Sequence, residues 1–304
     1  MSKKYKKNLE FKQSALGEFV CIDGDDYHAL LAGQGDDALV FMAGEGVPCP
    51  ALDFKPLWWR LKDKFKIVVL EKAGYGFSDV TDKPRDVETL VSDNRAVLQK
   101  LNIAPPYVLV AHSYAGLEAT YWVQQYTDEI KAVVSLDMTI PEFIDITKIS
   151  PLVKLVMCFS RIFKNTNISE KRAIKLTEKF PSYNHSSLSS EDKETYLRVI
   201  RHRFMTINMV NEIKMMTHNA DVVEGLEYPT DVPLLFFSSD LVDAAKNAKK
   251  SVCELLQLQK DFVANFNHAK HLVLDCDHFV HAHKSELVAR QIEDFVSGIG
   301  MRQL

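Results

Sequence analysis

Long apolar runs are missing from this chain: no stretch approaches the roughly 18 uninterrupted apolar residues that a membrane span requires, so no integral membrane segment is expected. Cysteine is sparse and scattered. Cys21, Cys49, Cys158, Cys253 and Cys276 form no C-x-x-C pair, which argues against a zinc or dithiol redox site, and their odd number fits reduced thiols in a cytoplasmic protein. Strong charge of either sign is also lacking. The net charge is −4, and basic residues are dispersed apart from Lys3, Lys4, Lys6 and Lys7 at the start and the pair Lys249-Lys250. Nucleic acid is therefore not an expected partner. The lysine-rich start runs into the polar stretch Asn8 to Ser14 without an apolar h-region, so residues 1–14 read as a solvated tail rather than a secretory signal. Repeats and low-complexity segments are absent too.

What is present is a folded enzyme-like composition, 46% hydrophobic and 26% charged over 304 residues, enough for one large core with an insertion. Phe19 to Ile22 and Tyr27 to Leu31 flank the turn residues Gly24-Asp25-Asp26 and predict an antiparallel hairpin. Six short apolar runs then predict buried strands: Ala38 to Met42, Ile67 to Leu70, Tyr107 to Val110, Ala132 to Leu136, Leu234 to Phe237 and His271 to Leu274. Helical spacing appears between or after them at Phe54 to Leu61, Leu90 to Leu101, Leu117 to Tyr126 and Leu287 to Phe295. Alternation of this kind predicts an α/β fold with a mostly parallel, doubly covered sheet, its core spanning 15–138 and 229–304. Residues 139–228 carry helical patterns but no buried strand, and read as an inserted helical lid whose methionines, Met157, Met205, Met209, Met215 and Met216 among them, serve mostly as its core.

The chemistry concentrates at four places. Strand Val108-Leu109-Val110 runs into Ala111-His112-Ser113-Tyr114-Ala115-Gly116 and then a helix, which puts a serine at a sharp bend beside the positive end of a helix dipole. Ala43-Gly44-Glu45-Gly46 follows an earlier strand. Glu71-Lys72-Ala73-Gly74-Tyr75-Gly76-Phe77-Ser78 follows the next, and lacks the third glycine and helix of a dinucleotide-binding loop. Leu274-Asp275-Cys276-Asp277-His278 delivers a histidine after the last strand, just before the terminal helix.

In this order the segments resemble the α/β-hydrolase family of serine hydrolases. Its Gly-x-Ser-x-Gly elbow stands here with Ala111 and Ala115 in the glycine positions, its His-Gly-x loop with Ala43, and its Asp-x-x-Gly-x-Gly-x-Ser loop with Glu71. The resemblance implies Ser113 as nucleophile, His278 as general base, and the backbone N–H groups of Glu45 and Tyr114 as an oxyanion hole. The triad acid is open between Asp137, at the end of Ser135-Leu136-Asp137, and the later pair Asp240 and Asp243. His112 and His281 are expected to be structural. Dehalogenases and epoxide hydrolases of this architecture use an aspartate at the elbow, and Ser113 argues against both. The expected activity is hydrolysis of a carboxylic ester or related acyl bond of a small to medium apolar molecule, without metal or cofactor. A proline iminopeptidase-like aminopeptidase and a non-catalytic binder of small ligands are the alternatives.

Overall fold

The computed structural model describes residues 11–13, 15–146, 168–240 and 249–302. Eight strands build one sheet: β1 (Glu18–Ile22), β2 (Asp25–Ala32), β3 (Ala38–Met42), β4 (Lys66–Glu71), β5 (Tyr107–His112), β6 (Ile130–Leu136), β7 (Leu234–Ser239) and β8 (Ala269–Leu274). Their spatial order is β1-β2-β4-β3-β5-β6-β7-β8. β1 and β2 are antiparallel, β2 and β4 are antiparallel, and every later pairing is parallel. The sequence expectation of an antiparallel opening and a parallel body holds.

Two details differ from the sequence reading. The hairpin turn is Asp23-Gly24, both at positive φ, so Asp25 and Asp26 belong to β2; a two-residue loop of this type matches the strand twist. β8 is an edge strand with one neighbour, and Val273 is 44% exposed, so this last apolar run is not covered on both faces.

The central strands are. Along β3, Ala38, Val40 and Met42 enter one core cluster while Leu39 and Phe41 enter the other, as the two-residue side-chain period requires. One cluster is closed by α3 (Val87–Lys100) and α4 (Ala115–Gln125), through Val91, Leu98, Leu117 and Trp122. The other lies under α2 (Lys55–Leu61), which follows the short α1 (Pro50–Asp53), and under α11 (Ser285–Arg302), through Leu57, Trp58, Val288 and Ile292. Each such fully buried large side chain contributes about 1.5–3 kcal/mol.

Between β6 and β7 lie α5 (Pro141–Ile146), α6 (Glu170–Thr177), α7 (Ser190–Arg203) and α8 (Ile207–Glu224), with no strand among the described residues of that stretch. Met157 lies outside the described residues. α7 begins with a capping box between Ser189 and Asp192, and α8 with a Thr206 cap. This helical layer is fastened to the sheet by an apolar cluster, in which Tyr196 and Ile200 meet Leu52 and Phe77, and by polar keys. Asn208 donates to Thr81 O, Arg203 to Gly76 O and Thr206 to Gly74 O. α9 (Lys249–Ala264) and the single turn α10 (Val280–His283) complete the chain.

The strand order reverses at β3, which has β4 on one side and β5 on the other. Loops leaving the carboxyl ends of strands at such a reversal diverge and leave a crevice. Residues 43–46 leave β3 there, and Ser113 leaves β5.

Candidate active site

Ser113 has φ +55°, a left-handed conformation that is uncommon for a side chain with a β-carbon and that tight surroundings must impose. Those surroundings are visible. Ser113 O accepts hydrogen bonds from Gly116 N at 2.9 Å and from Thr139 N at 2.8 Å. A β-carbon on Gly116 would lie 2.3 Å from Thr139 O, so this close passage of two backbones requires glycine. Ala111 and Ala115 are both fully buried, and the elbow closes with alanine in each glycine position of the family pattern. Gly44 is fixed in the same way, since a β-carbon there would sit 2.6 Å from Ser113 Cβ and 3.0 Å from Tyr114 N. The loop after β3 therefore lies against the elbow, and the backbone of Glu45 begins where that contact ends.

A cavity of about 570 Å³ opens at this point. Ser113, Glu45, Asp137 and His278 all line it, and so do Met216 from α8 and Phe143 from α5. Nδ1 of His278 lies 2.8 Å from Oδ2 of Asp137. Asp137 is itself at positive φ, buried, and held by three further donors: Ser239 N–H at 3.1 Å, the Ser239 hydroxyl at 2.6 Å and Gln259 Nε2 at 3.3 Å. Asp240 is exposed at the end of β7, its N–H donating to Leu274 O, and Asp243 lies outside the described residues. Among the described residues the ring of His278 is thus paired with Asp137. No hydrogen bond joins the Ser113 hydroxyl to that ring, and both groups face the same cavity.

The electrostatics follow from these contacts. Burial would raise the Asp137 carboxyl, but the His278 hydrogen bond and charge, with the Ser239 donors, hold it below the usual carboxylate range. For His278, desolvation pulls downward and is outweighed by the hydrogen bond and charge of Asp137, with Glu45 and Asp277 adding to them, so the ring stays above the ordinary imidazole value. Glu45 is pushed up to about 7, first by burial and then by the charge of Glu212.

Around the ring, His112 Nε2 lies 3.3 Å from His278 O, and desolvation followed by the charge of His278 depresses His112 so that it stays neutral. A neutral imidazole with its proton on Nε2 can donate to that carbonyl. His281 is buried with Nε2 at 3.0 Å from Asp53, whose other oxygen accepts from Tyr196. Glu71 accepts from Phe77 N and lies 2.7 Å from His28 Nδ1, which shapes the loop after β4.

Behind the elbow runs a buried ionic network that sequence reasoning did not foresee. Lys72 Nζ donates to Glu118 at 2.6 Å and to Glu212, and Arg85 donates to Glu212 at 2.7 Å. Asn219 donates to the Tyr114 hydroxyl at 3.0 Å. The usable signal was a charge one helical turn from apolar residues, Glu118 from Ala115 and Trp122 and Glu212 from Met209 and Met216. Ser239 and Gln259 were also missed, and nothing in their spacing marks them.

Cys21, Cys49 and Cys276 are free thiols. Among the described residues no cluster of three or more His, Cys, Asp or Glu could hold a metal ion, and no helix is long and apolar enough to cross a membrane.

A family model described as the alpha/beta hydrolase fold matches residues 50–156. The uncharacterized protein YbdG of Bacillus subtilis is 30% identical over 293 residues, covering 94% of this chain and 88% of its own. The chain belongs to the α/β-hydrolase family. A more distant member, the 2-(acetamidomethylene)succinate hydrolase of Mesorhizobium japonicum, is 23% identical over 87% of this chain and 89% of its own. In three dimensions this hydrolase fold is shared with a putative epoxide hydrolase of Pseudomonas aeruginosa, at a TM-score of 0.69 and 13% identity, covering 93% of this chain and 96% of that one. At that identity the likeness speaks for the fold alone.

Proposed function

We propose that the protein is a serine hydrolase that cleaves a carboxylic ester or thioester through an acyl-enzyme on Ser113. The observation that carries this reading is a serine in a strained left-handed elbow sharing one cavity with an imidazole already bonded to a buried carboxylate. In the proposed sequence His278 takes the Ser113 proton as the oxygen attacks the carbonyl. The Glu45 and Tyr114 N–H groups receive the oxyanion, and His278 passes the proton to the leaving alcohol or thiol. A water molecule, deprotonated by the same ring, then releases the acid. Asp137 is the acid of this triad, since it meets Nδ1 and leaves Nε2 as the base. Asp240 and Asp243 are assigned no part.

A cavity of this volume suits a small molecule, and Met138, Phe143, Met216 and Leu255 give it apolar walls. The helical layer from α5 to α8 acts as the lid, within bounds of about 139–228. Free thiols fit a reducing compartment such as the cytoplasm. One further reading, an aminopeptidase-like activity, is favoured by the carboxyl groups of Glu45, Glu178 and Asp277 on the same walls, which could take a substrate ammonium.

Labelling with a fluorophosphonate probe tests the proposal. Wild type should be labelled stoichiometrically and Ser113→Ala not at all; labelling that persists in Ser113→Ala removes the nucleophile. Turnover of p-nitrophenyl esters against aminoacyl naphthylamides separates the two substrate readings.

A further inference from the structure

A second cavity, of about 590 Å³, lies outside the site described above. Its walls are the end of α2, the turn 181–185, and the stretch from α10 into α11. Three fixed cations line it, Arg60, Lys284 and Arg290, together with the imidazoles of His185 and His283. Glu286 is the one carboxylate on the wall, and Asp277 reaches it only through its 2.9 Å contact with His283.

Several cations elsewhere on this surface are matched. Lys55 pairs with Asp192, Lys64 with Glu293, Arg95 with Glu129 and Lys131 with Asp37. Arg60, Lys284 and Arg290 have no carboxylate within ion-pair distance among the described residues. Their like charges are brought together on a chain whose net charge is −4, against the trend of the whole molecule. Arg60 is exposed but held in place: its Nε donates to the buried Ser285 hydroxyl at 3.3 Å, at the start of α11. Lys284 precedes that helix and Arg290 stands in its second turn. Lys284 thus faces the positive end of that helix, an unfavourable placement that an anion seated there would reverse. His185 lies 3.5 Å from the same hydroxyl; desolvation and then the charge of Arg60 depress its pKa, so it enters the cavity as a neutral hydrogen-bonding group.

We propose that this cavity binds a phosphate-type dianion, with Arg60, Lys284 and Arg290 as its cationic ligands and His185 and Ser285 as neutral partners. A guanidinium fork matches tetrahedral oxygens better than an ammonium does, and two of the three cations are arginines. The anion is either the phosphorylated end of a substrate or a free phosphate ligand. The binding claim does not depend on the hydrolase reading.

The experiment is calorimetric titration of the full chain with inorganic phosphate, against sodium chloride at matched ionic strength. Saturable one-to-one binding is expected, weakened at least about tenfold in Arg60→Gln/Arg290→Gln and unchanged in Lys64→Gln. Both arginines are exposed, so the double variant should keep its urea midpoint, which is measured alongside. Absence of saturable binding, or equal binding in the double variant, overturns the proposal. The source is read from KM for one acyl ester with and without a phosphate on its alcohol part. A rise in KM confined to the phosphorylated ester in the double variant assigns the anion to substrate, and equal KM values alongside retained phosphate binding assign it to a separate ligand. If neither ester is turned over, the titration still decides the site while the hydrolase reading fails.

Discussion

Asp137→Asn replaces one carboxylate oxygen by NH₂ and should silence the proposed hydrolase. In the native arrangement Oδ1 accepts from Ser239 N and Gln259 Nε2, and Oδ2 accepts from the Ser239 hydroxyl and faces His278 Nδ1. An asparagine keeps its own oxygen toward the two N–H donors, because its NH₂ cannot face them. The NH₂ then points at Ser239 Oγ, which can accept by rotating, and at His278 Nδ1, which can accept only if that nitrogen carries no proton. The ring is driven into the Nε2–H tautomer and can no longer take a proton from Ser113. A loss of about 10⁴ in kcat is expected, close to 5.5 kcal/mol of transition-state stabilisation at 1.36 kcal/mol per decade. The assay is kcat for p-nitrophenyl acetate with the fluorophosphonate labelling rate in parallel, and Asp240→Asn as the exposed comparison should stay within about threefold of wild type. A loss below tenfold in Asp137→Asn, or a larger loss in Asp240→Asn, would refute the tautomer argument.

The acid limb of kcat/KM should lie above the ordinary imidazole value of 6.5, because the base works only when neutral and Asp137 holds its proton on; activity rises as pH passes through the His278 pKa. Since the charge of Glu45 contributes to that elevation, Glu45→Gln should move the limb to lower pH, and a pH–rate profile that does not move shows the two groups to be uncoupled. Lys72→Met leaves Glu118 and Glu212 buried without their ammonium and should cost about 3–5 kcal/mol in a urea titration, whereas an unchanged midpoint would mean that water or rearrangement replaces the pair. Gly44→Ala should lower kcat about 100-fold with little loss of fold, because its methyl group displaces the loop from the elbow by roughly an ångström; circular dichroism and ester turnover together check this.

The fold was readable because its signals are local. Apolar runs such as Ala38 to Met42 and Tyr107 to Val110 must be covered on both faces, and only strands alternating with helices achieve that. The positions of Ser113 and His278 were readable for a related reason: each follows a strand directly, so the strand's end fixes where the side chain emerges. The choice among the aspartates was not readable. It depends on Ser239 and Gln259, which come from β7 and α9 and meet Asp137 only after the sheet has assembled. β8 misled for the opposite reason, since His271 to Leu274 is apolar enough for a central strand and only its place at the sheet's edge leaves Val273 in water. The Lys72–Glu212 and Arg85–Glu212 pairs join residues more than a hundred positions apart, and no spacing rule links them.

Those pairs also constrain how a molecule could reach the serine. Glu212 and Asn219 stand on one helix of the covering layer, and both are keyed into the floor beneath it, at Lys72, Arg85 and Tyr114. Lifting that helix would strip several ionic partners at once, so the roof is pinned along one side. The cavity wall that carries Lys179 and Pro181 is held differently, by the packing of Phe180 against Tyr196 and Phe279 rather than by buried charge.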